Sequence, residues 1–155
     1  MRISVASDSL DGVAALIGTE LERRGHTVSR YGAVADPDDV QWARVSARAA
    51  QDVATGDADM AVVACWTGTG ASIAANKVPG VRAALCTDPG TAAGARRWND
   101  ANVLAVSLRT LSAPMLGEIL DAWFATAPSG DSDDLANIAH LRTLDHLPAD
   151  SPPMH

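Results

Sequence analysis

The stretch at residues 60–77, MAVVACWTGTGASIAANK, restricts what this chain can fold into more than any other. An apolar run rich in valine and alanine leads into Cys65, then into a turn carrying Gly68 and Gly70, then into a helical pattern of small residues. That order specifies a buried strand, a tight turn of phosphate size and a helix N-terminus. A thiol at the carboxyl end of such a strand meets backbone N–H groups and a helix dipole, both of which favour negative charge on sulfur. Simple packing is the competing reading, because free cysteine is among the most buried residue types. The TGTG turn directly after the thiol tips the reading towards an active site.

The same alternation recurs along the chain. Residues 2–6 form a β-branched run that ends in the polar turn Ser7-Asp8-Ser9, and Val13, Leu16, Ile17 and Leu21 then recur at helical spacing. Arg23, Arg24 and Gly25 close that helix, and residues 26–31 alternate as a second strand. A loop with Pro37 precedes a helix over residues 40–55, which stops before Gly56. After the Cys65 unit, Val78-Pro79-Gly80 turns the chain into a strand over 81–86, and Pro89 opens a helix capped by Thr87 or Asp88 that runs to Trp98. Residues 103–106 supply a fifth strand. Ser112 caps a helix whose apolar stripe is Met115, Leu116, Ile119, Leu120, Trp123 and Phe124. Strands and helices in this order predict a parallel sheet covered on both faces, with ligands bound beyond the carboxyl ends of the strands. Asp8, Cys65, Asp88 and Arg109 all fall at or just after such ends.

From Ala127 the composition shifts to proline, serine, glycine and aspartate, and Leu135, Ile138, Leu141 and Leu144 then space one more helix across a partner or the body of the domain. The proline-rich end, LPADSPPMH, reads as frayed. One domain over 1–155 is expected, with a core at 1–126 and a C-terminal helix and tail at 127–155 placed at a dimer interface. At 155 residues, 47% hydrophobic, the chain is long enough for a single core. It holds no apolar run of about 18 residues and starts directly in a strand pattern, so a cytoplasmic protein without membrane contact is expected. Cys65 and Cys86 read as reduced thiols. A formal net charge of -7 argues against nucleic-acid binding, yet leaves room for a small anionic substrate held by local arginines. No residues have metal-ligand spacing, and GTG alone is too little for a dinucleotide site, so neither metal nor cofactor is expected.

The segments VASD, GDAD, CWTGTGASIAANKVPGVRAALCTDP, WNDANVLAVSLR and ILDAW resemble the ribose-5-phosphate isomerase B and galactose-6-phosphate isomerase family over most of residues 2–124. The resemblance implies a three-layer α/β/α Rossmann-like domain with a five-stranded parallel sheet and an extra C-terminal helix. It also implies a homodimer or dimer of dimers with the active site between subunits, and cofactor-independent aldose–ketose isomerisation through a cis-enediolate. Such chemistry needs a base beside the carbonyl carbon and donors for the developing oxyanion. Carried over by position, Cys65 is the base, since the family's alternative glutamate falls at Ala71. Thr67 handles the sugar ring, and the N–H groups of Thr67, Gly68, Thr69 and Gly70 form an anion nest. Asp8 contacts substrate hydroxyls, Asn99 orients the enediolate oxygens, and Arg109 contacts phosphate. Asp8 reads equally as a cap of the first helix, and Arg109 as one partner of a surface ion pair.

The departures from the family concern the pocket around that base. Ser9, a candidate substrate contact, stands where the family has histidine. Trp98 replaces the ring-opening histidine, leaving Asp100, Thr67 or a water to carry that proton. SGDSDDLAN occupies the place of the family's C-terminal phosphate arginines, with Arg142, or Arg96 and Arg97, as substitutes; Asp131, Asp133 and Asp134 read most simply as a solvated helix start. Trp66 follows the cysteine where the family has glycine, and Trp66, Trp98 and Trp42 either line one pocket or fill space. The expected substrate needs no ring opening, as with a four-carbon ketose phosphate or another small hydroxycarbonyl compound. Two alternatives stand beside it: a nonphosphorylated specialised metabolite, and a noncatalytic subunit of a heteromeric isomerase.

Overall fold

In β3 (Met60–Cys65) successive side chains point to opposite faces, so one strand feeds two cores. Val62 and Ala64 join one core, and Ala61, Val63 and Cys65 join the other. The structure, a computed structural model, describes residues 1–146. Its remaining strands are β1 (Arg2–Ser7), β2 (Thr27–Gly32), β4 (Ala83–Leu85) and β5 (Val103–Ser107). They pair in the order β2-β1-β3-β5-β4, all parallel. This is the five-stranded α/β architecture that the alternation predicts.

Helices α1 (Ala14–Arg23), α4 (Pro89–Asn99) and α5 (Ala113–Ala125) cover one face, where Ile17, Leu21, Ala92, Leu116, Leu120 and Trp123 meet Ile3, Val5 and Leu104. Trp123 is fully buried, donates its indole N–H to Met60 Sδ at 3.2 Å, and carries the Arg96 guanidinium 5.6 Å above its ring. On the other face, α2 (Trp42–Thr55) and α3 (Thr69–Ala75) lie on a carpet of small side chains, among them Ala6, Ala61 and Ala105. Small residues there let both helices approach the sheet closely.

The elements differ from the sequence pattern mainly at their ends. β4 is three residues long because Val81 closes a turn onto Val78 and the Arg82 backbone N–H is taken by the Asn102 side chain. α2 begins at Trp42 because residues 36–39 are occupied by a turn. α3 already starts at Thr69, so Gly70 belongs to its first turn. Asp88 is the cap of α4, accepting from the Thr91 N–H at 2.8 Å and its hydroxyl at 2.6 Å, which holds its carboxyl below the usual range. α6 (Ser132–Leu144) lies against α4 and buries only Ile138, while Leu135, Leu141 and Leu144 stay exposed. The LPADSPPMH segment lies outside the described residues.

Candidate active site

The strand order reverses between β1 and β3. The chain leaves β1 for a helix on one face and β3 for a helix on the other, which opens a crevice at their carboxyl ends. Ser7 is in register with Ala64, so the next residues, Asp8 and Cys65, emerge side by side. Asp8, Trp42, Cys65, Trp66, Thr67, Thr69 and Gly70 line a cavity of about 280 Å³ at this point. The described residues also enclose a larger cavity, about 450 Å³, at the amino end of β4, lined by Arg82, Asn99, Leu141 and Arg142 among others. A thiol, a carboxylate and two hydroxyls converge in the smaller one.

Cys65 is 5% exposed, and the Ala71 N–H donates to its Sγ at 3.4 Å. The first N–H groups of a helix have no intrahelical acceptor. Sγ takes the one from Ala71, and those of Thr69 and Gly70 are left at the cavity wall. The N–H of Gly68 is not available, because it closes the turn onto the Cys65 carbonyl at 3.1 Å; the anion nest expected over 67–70 is therefore smaller by one donor. Gly68 has φ +76°, and a Cβ there would lie 2.5 Å from Leu85 Cδ1 and 2.8 Å from the Val106 carbonyl carbon. Thr67 and Thr69 share a hydroxyl–hydroxyl hydrogen bond of 2.7 Å.

Asp8 caps no helix: α1 begins after Val13 without a side-chain cap. Its Oδ1 is buried and has no hydrogen-bond partner, a state that native structures rarely leave unexplained. Burial pushes its carboxyl above the ordinary aspartate range, with a smaller push from Asp11, and a bond from its own backbone N–H opposes both. Ser9 turns away, its hydroxyl donating to Asp11 at 3.0 Å. Cys86 is a core residue, 1% exposed, and burial pushes its thiol up to about 12.

The floor of the site is tied to β5. The Leu108 N–H donates to the Cys65 carbonyl at 3.0 Å, and the Trp66 carbonyl accepts from the Arg109 N–H at 2.9 Å and from Ser107 Oγ at 3.0 Å. Sequence reasoning did not single out Ser107; the polar residue closing an otherwise apolar strand was the available signal. Trp42 was named only as a third possible wall. Its ring packs on Gly70, where an added Cβ would stand 3.0 Å from Cε3.

Several expected groups lie elsewhere. α4 starts at the carboxyl end of β4 and ends at the amino end of β5, so Trp98 and Asn99 sit at the opposite edge of the sheet from Cys65. The Trp98 ring folds back on Gly94 and is 55% exposed, so it does not share a pocket with Trp66 within one chain. Asp100 is engaged by two arginines, Arg82 at 3.0 Å and Arg96 at 3.2 Å. Arg96 is equally committed, being 7% exposed and engaged by Asp100, the Ala101 carbonyl and the Trp123 ring. Arg109 is exposed, bonded through its backbone N–H to the Trp66 carbonyl, and in none of the ion pairs among the described residues, so the surface-pair reading of it finds no partner there. No group of His, Cys, Asp or Glu suited to a metal occurs among the described residues, and no helix there is long and apolar enough to cross a membrane.

The family model for Ribose/Galactose Isomerase matches residues 3–140. The chain belongs to this family. Relatives of the ribose/galactose isomerase family include a galactose-6-phosphate isomerase subunit LacB from Clostridium acetobutylicum, 38% identical over 79% of this chain and 71% of that protein. A D-erythrulose-4-phosphate isomerase from Pectobacterium atrosepticum is 34% identical over 66% of this chain and 68% of its own length. Among solved structures, ribose-5-phosphate isomerase B of Clostridium thermocellum superposes with a TM-score of 0.85 at 32% identity, covering 94% of this chain and 97% of that one. Membership makes the chain a sugar-phosphate isomerase by class.

Proposed function

We propose that this protein interconverts a small aldose and ketose, with Cys65 as the base that moves the proton. The observation carrying the proposal is the buried Cys65 Sγ, held by the Ala71 N–H, in one small polar cavity with Asp8, whose Oδ1 is buried without a partner. The thiolate removes a proton from the carbon beside the carbonyl, and the electron pair moves onto the carbonyl oxygen to give a cis-enediolate. The same sulfur returns the proton to the neighbouring carbon while the oxygens exchange theirs. The N–H groups of Thr69 and Gly70 receive the oxyanion, the Thr67–Thr69 hydroxyl pair supplies or accepts the exchanging proton, and Asp8 takes a substrate hydroxyl.

Four-carbon ketose phosphates suit this site best. The cavity contains no histidine for opening a furanose ring, and a relative in the family is named for D-erythrulose 4-phosphate. The cavity wall also carries no lysine or arginine. The phosphate is held at the rim by Arg109, and a second copy of the chain brings Asn99 and Trp98 to complete the site, in a homodimer of the cytoplasm. That same lack of a cation favours a second reading, a nonphosphorylated hydroxycarbonyl substrate.

Deuterium exchange at the substrate's α-carbon tests the proposal. Cys65→Ala is expected to lower exchange by about 10² to 10⁴ fold, the contribution of a positioned general base, with the fold unchanged. Exchange at the wild-type rate in that variant overturns the assignment. Comparing erythrulose with its phosphate separates the two substrate readings.

A further inference from the structure

We propose that Trp42 and Trp66 are the specificity-determining residues of the Cys65 site, forming an aromatic mouth that stacks on the C–H face of a short open-chain hydroxycarbonyl substrate. The inference rests on the isomerase reading above and adds the part of the site that selects the substrate.

The buried polar groups of the lining are the Cys65 thiol and Asp8 Oδ1, whereas the two threonines and the two tryptophans are exposed, the tryptophans at 45% and 56%. A ligand filling such a space presents hydroxyl and carbonyl oxygens inward and carbon-bound hydrogens to the rings. An open-chain polyol has that two-sided character, and indole faces take up C–H surfaces. At about 280 Å³ the cavity lies just below the range usual for ligand pockets, which suits a small substrate.

The Trp42 ring and the Trp66 backbone are placed by contacts that do not involve a ligand. Trp42 opens α2 and packs on the Gly70 backbone, where any larger residue would displace it. Trp66 cannot shift along the chain, because its carbonyl is bonded to Ser107 Oγ and the Arg109 N–H. With no lysine or arginine in the lining, the portion of substrate inside the rings is neutral; an anionic end, where present, lies outside them, on the side of Arg109.

The test compares kcat/KM for four-carbon and five-carbon ketose phosphates in the wild type, Trp66→Ala, Trp42→Ala and Trp66→Phe. Removing one indole is expected to shift the four-to-five-carbon preference by about tenfold towards the longer substrate, as a changed pocket wall does, with KM moving more than kcat. Trp66→Phe, which keeps an aromatic face, stays near the wild-type ratio. An unchanged ratio in both alanine variants, or a loss proportional for the two substrates, overturns the inference. A separate titration with erythritol 4-phosphate reads quenching of indole fluorescence. Quenching that disappears in the Trp42→Ala/Trp66→Ala double variant, in a wild type that exchanges no α-proton, upholds the aromatic mouth and overturns the isomerase reading. No quenching in the wild type overturns the mouth.

Discussion

Replacing Gly68 by alanine tests whether the turn after Cys65 is built as described. Two penalties act together. An L-residue at φ +76° pays the left-handed cost of about 1–2 kcal/mol, and the new Cβ, 2.5 Å from Leu85 Cδ1 and 2.8 Å from the Val106 carbonyl carbon, forces a shift costing about 1–3 kcal/mol. The sum is about 2–5 kcal/mol, a large part of a typical domain's stability. At about 2–4 °C per kcal/mol for a chain of this size, Tm falls by about 4–20 °C. Gly56→Ala is the internal control, because Gly56 has φ +82° with open space where its Cβ would go. The gain from stiffening the unfolded chain is common to both variants and cancels in the comparison. Urea unfolding of the pair therefore isolates crowding, with Gly68→Ala expected to lose about 1–3 kcal/mol more than Gly56→Ala. Equal losses would refute the close approach of this turn to β5.

Other substitutions probe the site and its support. Asp8→Asn is expected to raise Tm at pH 7 while lowering turnover. A carboxyl whose folded-state pKa is raised opposes folding when ionised, so the gain shrinks as pH falls through the raised value, and thermal scans at pH 4 and 7 check it. Cys86, pushed up to about 12, keeps its proton in the folded protein after the unfolded chain has lost it; stability drops as pH rises above about 9, by up to about 1.4 kcal/mol per pH unit, and Cys86→Ala flattens that decline in urea titrations. Asp100→Ala leaves the Arg96 guanidinium buried without a counter-charge and is expected to cost about 3 kcal/mol, measured by urea unfolding. Trp123→Ala empties the centre of the α1–α4–α5 face at a cost of about 3–5 kcal/mol.

The sheet was readable because each strand is a short apolar or alternating run closed by a turn signal, and Pro89 and Ser112 mark helix starts by chemistry that depends on no distant contact. The neighbourhood of Cys65 was readable for the same reason, since the thiol, the turn and α3 are adjacent in the chain. Groups that rely on tertiary placement were not. Trp98 follows a sequence pattern that aligns it with a catalytic position, and the antiparallel course of α4 leaves it, within one chain, at the far end of the sheet from Cys65. Arg96 looked like a free cation until Trp123 and Asp100 came to enclose it. Ser9 was diverted by a neighbour two residues away, a local hydrogen bond that residue type alone does not specify. α6 shows the opposite limit: its leucine spacing predicts a helix correctly, but spacing does not say how many of those leucines find a surface.

The contrast between the floor and the mouth of the cavity bears on how such a protein changes over generations. Cys65 is almost fully buried, and its backbone and that of Trp66 are bonded to Ser107, Leu108 and Arg109, so a side chain larger than cysteine at the floor disturbs folding and chemistry together. Trp42 and Trp66 are about half exposed and belong to neither core. Exchanges there cost little stability, and a lineage can pass through them without falling below the threshold for folding. Under the role proposed for the indoles, substrate range is thus the property free to drift, on a floor that the sheet holds constant.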